Sequence, residues 1–559
     1  MSYAALAAIA IQSNQNDQHG GQSLPAFDYF MAPGVLMTFR KQFKQQLKDY
    51  LDLTDFIKFV NFDKIIKVID ELKSLTVDLS VFDKLVNNST ELKRIIRISY
   101  EKAVEKTDRI TYQAMEAFIH NLNTMHSRAG AQVPFSSINF GTDTSVEGRM
   151  VIKNYLLAAD SGLGKNETPI FPISIFKLKE GISYNKEDAN YDLFELACKV
   201  SAKRLFPNFS FMDSSFNKPY FKADDYKTQV AYMGCRTRVM GNTADPEREI
   251  VTGRGNLSFT SINLPRIGIK HGITNNKEAN LKEFYAELEE LMELVKEQLL
   301  ERFEVQCNKR LYNFPFLLGQ GIWIDSKKLK PGDKLKKILK HGTLTVGFIG
   351  LAECLVALTG AHHGENEASR KLGFEIVKFM RDKMDQYSQE TKLNFSLIAT
   401  PAEGLSGRFT KMDKAIFGVM KGITDRNYYT NSFHVPVYFP ITIAKKIEIE
   451  GPYHKLTNAG HITYIELDGD TTNNLEAFMN TIKLMKASDI GYGAINHPVD
   501  RDPVCGFTGV IGDVCPGCGR KEEDVPFERI RRITGYLVGT VERFNNGKKA
   551  EEKDRVKHS

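Results

Sequence analysis

Three cysteines near the end of the chain carry the strongest chemical signal. Cys505 sits in Asp502-Pro-Val-Cys505-Gly, and Cys515-Pro-Gly-Cys518-Gly follows shortly after. A Cys-x-x-Cys-Gly run places two thiolates on one turn, and its glycine lets backbone amides face the sulfurs. Tetrahedral Zn²⁺ takes four such ligands, with sulfur at about 2.3 Å. Only three cysteines are present here, and Asp502 stands where a first Cys-x-x-Cys would begin. The expected metal site is therefore Cys505, Cys515 and Cys518, completed by Asp502, His497 or water. Without metal the same residues are reduced thiols, or a redox pair at 515 and 518. A knuckle of this kind also suggests nucleic acid. However, Arg501 and Arg520 are not interleaved with aromatics in the way single-strand binding requires.

The other four cysteines are scattered. Cys198 and Cys307 lie in helical apolar stripes, and Cys354 stands near the start of a helix, so each reads as a small core residue. Cys235 differs, because Tyr232-Met-Gly-Cys-Arg-Thr237 is a short loop-like run. Elsewhere a strand over 394–400 runs into Pro-Ala-Glu-Gly-Leu-Ser-Gly-Arg at 401–408. Such a strand-to-helix turn offers free amides and a helix N-terminus to phosphate groups. Its candidates are Thr400, Ala402, Glu403, Ser406 and Arg408, although Glu403 also reads as an ordinary first-turn carboxylate. Near the C-terminus, Gly535 lies in Arg532-Ile-Thr-Gly-Tyr-Leu, followed by Arg543-Phe-Asn-Asn-Gly547-Lys548. Taken alone, that glycine reads as a turn or a close backbone contact.

These residues need elements to hold them. Apolar residues at helical spacing predict helices over 35–59, 62–75, 90–121 and 278–310. Short β-rich runs at 169–176, 257–269, 344–349, 394–399, 434–439 and 461–467 predict strands, several apolar throughout as in sheets buried on both faces. Alternation of the two predicts an α/β sheet, open or closed. Residues 4–11 read as a packed helix, and the lysine-rich tail from 545 as solvated. The 559 residues exceed one ordinary domain, and 42% hydrophobic with 26% charged residues is usual for a globular protein. A net charge of +6 spread over the chain is no duplex-DNA signature. The seven cysteines form no secreted disulfide framework and fit a reducing cytoplasm. No uncharged apolar run reaches membrane-spanning length.

Taken together, the motifs resemble one family. Arg-x-x-Gly-Tyr-Leu, then Arg-Phe-Asn-x-Gly-Lys, just after a cysteine knuckle, is similar to the glycyl-radical segment of anaerobic (class III) ribonucleoside-triphosphate reductases. Met-Gly-Cys-Arg resembles that family's finger loop. In order along the chain, further family-like segments are 18–22, 120–124, 127–130, 134–137, 254–256 with 261–265, 347–353, 399–403 and 430–436.

The resemblance implies a ten-stranded α/β barrel of the glycyl radical enzyme type, usually a homodimer. It implies a helical region with effector-binding and dimer-interface helices and the start of the barrel at 1–150, a barrel core with the finger loop at 151–485, and a zinc-binding glycyl-radical domain at 486–559. It puts the radical on Gly535, where a missing side chain lets the α-carbon flatten, and the thiyl on Cys235. Asn256 matches an asparagine placed near formate. The implied partners are ribonucleoside triphosphates, formate, ATP and dNTP effectors, and a separate iron–sulfur activase that uses S-adenosylmethionine. Neither nucleic acid nor membrane is among them. The family also carries a first barrel portion before the Gln-His-Gly-Gly segment, with a His-Asp stretch and a second active-site cysteine, and often an ATP-cone. The 559 residues lack these, so the chain alone is expected to be poorly soluble or inactive. The alternative is an acyltransferase or lyase of the pyruvate formate-lyase type. It is disfavoured because Cys235 has Gly234 and Arg236, not a second cysteine, beside it.

Overall fold

The computed structural model describes residues 2–126, 133–273, 278–523, 525–532 and 541–558. The family-like segment 127–130 and Gly535 lie outside the described residues.

Nine strands form the frame. β1 (Gln22–Leu24), β2 (Ser136–Phe140), β3 (Ile173–Leu178) and β4 (Asn208–Phe211) pair in parallel in that order. A hairpin follows, β5 (Tyr232–Met233) and β6 (Thr237–Arg238). β7 (Asn256–Asn263), β8 (Thr343–Ile349) and β9 (Asn394–Ala399) form a second parallel set. Gly460 forms a parallel bridge with Ile398 of β9, which joins that set to the chain entering β10 (Thr463–Glu466). β10 pairs in parallel with β11 (Tyr492–Asn496), and β11 pairs antiparallel with β4. The array is thus four parallel strands against five, opposed at the β4–β11 seam. The mixed α/β class is as expected. The resemblance implies ten strands, and nine are found in this array among the described residues. β12 (Val499–Arg501), β13 (Thr508–Gly509) and β14 (Glu528–Ile530) make a small antiparallel sheet beyond it.

Helices pack on the strands through apolar residues such as Ile138, Phe140, Phe176 and Phe209. Phe27–Leu53 and Thr90–Thr124 bury Phe39, Phe43, Leu47, Phe118 and Ile119 in one core with β2 to β4. Ser89 starts the second of these helices, its Oγ accepting the Leu92 amide. Leu281–Cys307 packs Phe284, Leu288, Met292 and Leu299 in a second core with β8 and β9. No described helix is long and apolar enough to cross a membrane.

Three expectations are corrected. Residues 434–439 form no strand: Pro436 and Pro440 cannot donate to a ladder, and His434 N–H turns back to the Asn431 carbonyl (3.0 Å). The run 257–269 is strand only to Asn263, which caps the helix Leu264–His271 by accepting the Arg266 amide. The tail from 545 is not solvated. It forms the helix Asn546–Asp554, with Lys548 and Glu551 buried against each other as an ion pair. His558 beyond it is pinned to the backbone of Glu466 by two hydrogen bonds of 2.8 and 2.9 Å.

Candidate active site

Cys235 occupies the tip of the β5–β6 hairpin and is buried. The tip turns at Gly234, whose φ of +59° suits glycine. A Cβ there would also lie 2.7 Å from the Phe135 ring. Both strand sets hold the hairpin. On one side, Asn139 of β2 exchanges two hydrogen bonds with the Tyr232 backbone (2.8 and 2.9 Å), and Ser137 Oγ accepts the Gly234 amide (3.1 Å). On the other, the buried Arg236 guanidinium donates to the carbonyls of Ala399 (3.0 Å) and Thr400 (3.3 Å) and to Tyr464 Oη. Behind, the Tyr232 ring stacks on Tyr492 at 4.4 Å, Tyr492 Oη donates to the Gly234 carbonyl (3.2 Å), and Tyr232 Oη meets His461 Nε2 (2.9 Å). Burial pushes the Cys235 thiol up to about 11, against the opposing pull of Arg236. The sulfur therefore keeps its hydrogen at neutral pH, as a hydrogen-atom donor must and a thiolate nucleophile must not.

The bonds from Arg236 bring the hairpin to the end of β9, where the 400–408 turn begins. Gly347 of β8 leaves room for that turn. A Cβ there would lie 2.0 Å from Thr400 Oγ1, which instead contacts Ser261 Oγ at 2.8 Å. Ala402 adopts the left-handed conformation (φ +57°) and is buried. Among the described residues the Ala402, Gly404 and Leu405 amides donate no hydrogen bond within the protein. They precede or open the helix Leu405–Phe417, a geometry that binds anions. Ser406 is fully buried, and its Oγ has no partner among the described residues. Arg408 is exposed. Asn256 opens β7, and its Nδ2 donates to Thr345 Oγ1 (2.9 Å), which contacts Ser396 Oγ (3.0 Å), a polar ladder across β7 to β9.

Asp502, Cys505, Cys515 and Cys518 form a separate cluster, their ligand atoms all within 4.8 Å of one another. Two turns build it. Gly506 N–H bonds the Asp502 carbonyl (2.8 Å) at φ +80°, and Gly519 N–H bonds the Cys515 carbonyl (2.9 Å) at φ +75°. Three sulfurs and one carboxylate oxygen at this spacing fit a tetrahedral Zn²⁺. Arg520 grips Asp502 through Nε and Nη2 (2.8–3.0 Å) and holds its carboxyl well below the usual range. His497 is not in the cluster. Its imidazole is buried, with Nε2 against the Ser201 carbonyl (3.1 Å), and burial pulls it down to about 4. Of the two side-chain candidates for the fourth ligand, only Asp502 is in place. Cys198, Cys307 and Cys354 are buried in helices, as expected of core residues.

The sequence reading missed the residues that hold the hairpin. Asn139, Tyr492 and His461 lie far from Cys235 in the chain, and nothing local marks them.

Residues 1–558 match the family model of the anaerobic ribonucleoside-triphosphate reductases. The protein of that name from Escherichia coli K12 is 34% identical over 466 residues, 82% of this chain and 63% of that protein. This chain therefore spans less than two thirds of that relative. The namesake of Enterobacteria phage T4 is 36% identical over 465 residues, 82% of this chain and 73% of that one. Among solved structures, an anaerobic ribonucleotide reductase superposes with a TM-score of 0.58 at 16% identity, over 95% of this chain and 89% of its own. The Thermotoga maritima enzyme with dATP and CTP gives 0.55 at 16% identity, over 94% and 91%. At these identities the superpositions speak for the fold.

Proposed function

The chain belongs to the anaerobic ribonucleoside-triphosphate reductase family, and from that premise we propose that it reduces ribonucleoside triphosphates to deoxyribonucleoside triphosphates by radical chemistry. The observation that carries the reading is Cys235: a protonated thiol at the tip of a hairpin clamped between two strand sets, beside a turn with uncommitted amides. In this reading the activase removes a hydrogen atom from Gly535. Cys235 passes its hydrogen atom to Gly535, and the sulfur then takes the 3′ hydrogen of the ribose. The 2′ hydroxyl takes up a proton and departs as water, formate supplies two electrons and a proton and becomes carbon dioxide, and Cys235 returns the hydrogen atom to C3′ and regains one from Gly535. Thr400, Ala402, Glu403, Ser406 and Arg408 form the phosphate turn, and Asn256 orients formate or substrate. ATP and dNTP effectors and a homodimer complete the proposal.

Asp502, Cys505, Cys515 and Cys518 would hold Zn²⁺, which supplies cross-linking to a segment with little core of its own. That segment docks on the barrel through Arg501 Nε to the Lys165 carbonyl (3.1 Å) and Thr508 Oγ1 to the Asn166 carbonyl (3.1 Å).

Anaerobic activation followed by electron paramagnetic resonance tests the reading. A glycyl signal is expected, with air cutting the chain at Gly535, and Gly535→Ala should lose both. A signal that persists in Gly535→Ala would sink the assignment.

A further inference from the structure

The Arg-Phe-Asn-x-Gly-Lys run at 543–548 has no part in the chemistry proposed above, yet it is fastened to the phosphate turn. Phe544 is buried, and Asn545 caps the helix Asn546–Asp554, its Oδ1 accepting the Lys548 amide (3.0 Å). The other end of the same side chain reaches across: Asn545 Nδ2 donates to the Glu403 carbonyl (2.8 Å). Gly547 meets Gly407 backbone to backbone. A Cβ on either would stand 3.2–3.4 Å from the other's Cα. Asn431 makes the matching contact from the opposite side. In the amide orientation that satisfies its neighbours, it donates to the Pro401 carbonyl (2.8 Å) and accepts from Lys548 Nζ (3.0 Å).

Pro401 and Glu403 flank Ala402, the left-handed residue of the turn. A non-glycine residue is strained there and persists only where the surroundings hold it. In a trans peptide the carbonyl and amide of one unit point in opposite directions. Pinning the Pro401 carbonyl therefore aims the Ala402 amide the other way, and pinning the Glu403 carbonyl does the same for Gly404. These are two of the amides that donate no hydrogen bond among the described residues.

We infer that Asn545 and Asn431 are positioning residues that hold the phosphate turn in its anion-binding shape, so that triphosphate binding depends on the docked C-terminal helix. The inference rests on the reading of 400–408 as the phosphate turn. It gives the 543–548 run a task separate from radical storage: the start of the C-terminal helix completes the substrate site.

The test is CTP binding to the full chain by calorimetry, with displacement by inorganic tripolyphosphate. Asn545→Ser is the informative variant. Serine caps a helix as well as asparagine and adds no charge, but it is too short to reach the Glu403 carbonyl. Asn545→Ser and Asn431→Ser should each weaken CTP about tenfold, as expected for one well-placed hydrogen bond. The thermal transition of Asn545→Ser should match wild type. If Asn545→Ser binds CTP like wild type while Asn545→Ala does not, Asn545 is only a cap and the inference is overturned. If CTP binds wild type but tripolyphosphate fails to displace it, the phosphate reading itself falls and takes this inference with it.

Discussion

The Cys235 hairpin and the Cys–Asp cluster are both short turns ending in sulfur, and they are held in opposite ways. The hairpin is fixed by the whole molecule: β2, the end of β9 and the Tyr492 ring each grip it, and its thiol is buried. The cluster stands on a three-stranded sheet whose own core is Ile511, Cys515 and Phe527 with Phe507 against them. Cys505 and Cys518 are exposed. Packing sets position in the first region, and in the proposed reading metal ligation sets it in the second. The hairpin should therefore survive chelation and fail on loss of distant hydrogen bonds, and the cluster should do the reverse.

The largest expected effect is at the hairpin tip. Cys235→Ser should retain the glycyl signal and lose all nucleotide reduction, because a hydroxyl holds its hydrogen atom too tightly to relay a radical. Equal turnover by Cys235→Ser and an active wild type would move the role to another residue.

Next comes metal removal. Anaerobically purified protein should hold about one Zn²⁺ per chain. Chelation or Cys515→Ser should open residues 502–530 to protease and lower the glycyl radical yield, because so small a core cannot stand unaided. The main thermal transition should not move. A matching fall of that transition would show that the cluster stabilises the barrel itself.

Tyr492→Phe should be smaller and confined to the other region. It leaves the Gly234 carbonyl and the Asn208 amide without their partner, for a loss of about 1–3 kcal/mol in unfolding free energy. Zinc content should stay unchanged.

The mildest test is alkylation. Metal-free protein at neutral pH should label at the exposed Cys505 and not at the buried Cys235. The folded Cys235 thiol keeps its proton up to about 11, whereas an unfolded thiol loses it near about 8.5. Folded protein thus binds more protons than unfolded across that window, so this group makes stability fall as pH rises through it. Labelling of native Cys235 at neutral pH would contradict both its burial and its protonation.

Much of this was legible in the chain. Knuckle spacing, the Met-Gly-Cys-Arg loop and the 401–408 turn are local patterns, because a turn, a chelate and a helix start are each made by neighbours in sequence. The long helices and β9 were equally plain, since amphipathic spacing and a buried apolar run need no distant partner. The strands β1, β2, β4 and β11 were not. Each is short, and Ser137, Asn139 and Asn208 put polar atoms where a buried strand reads as apolar, their hydrogen bonds being met across the fold.

The sequence by itself marked the candidate residues and the family to which the chain belongs. The tertiary structure decided the rest. It placed Asp502 among the three cysteines and left His497 outside them, the imidazole being turned into the Ser201 carbonyl. It drew the lysine-rich tail inward, because Glu551 neutralises Lys548 and the backbone of Glu466 binds His558. It also joined Asn431 and Asn545 to one turn. The Asn545–Glu403 hydrogen bond spans 142 positions and leaves no periodicity in the chain, and only the packing of the C-terminal helix on the 400–408 turn puts donor and acceptor within reach.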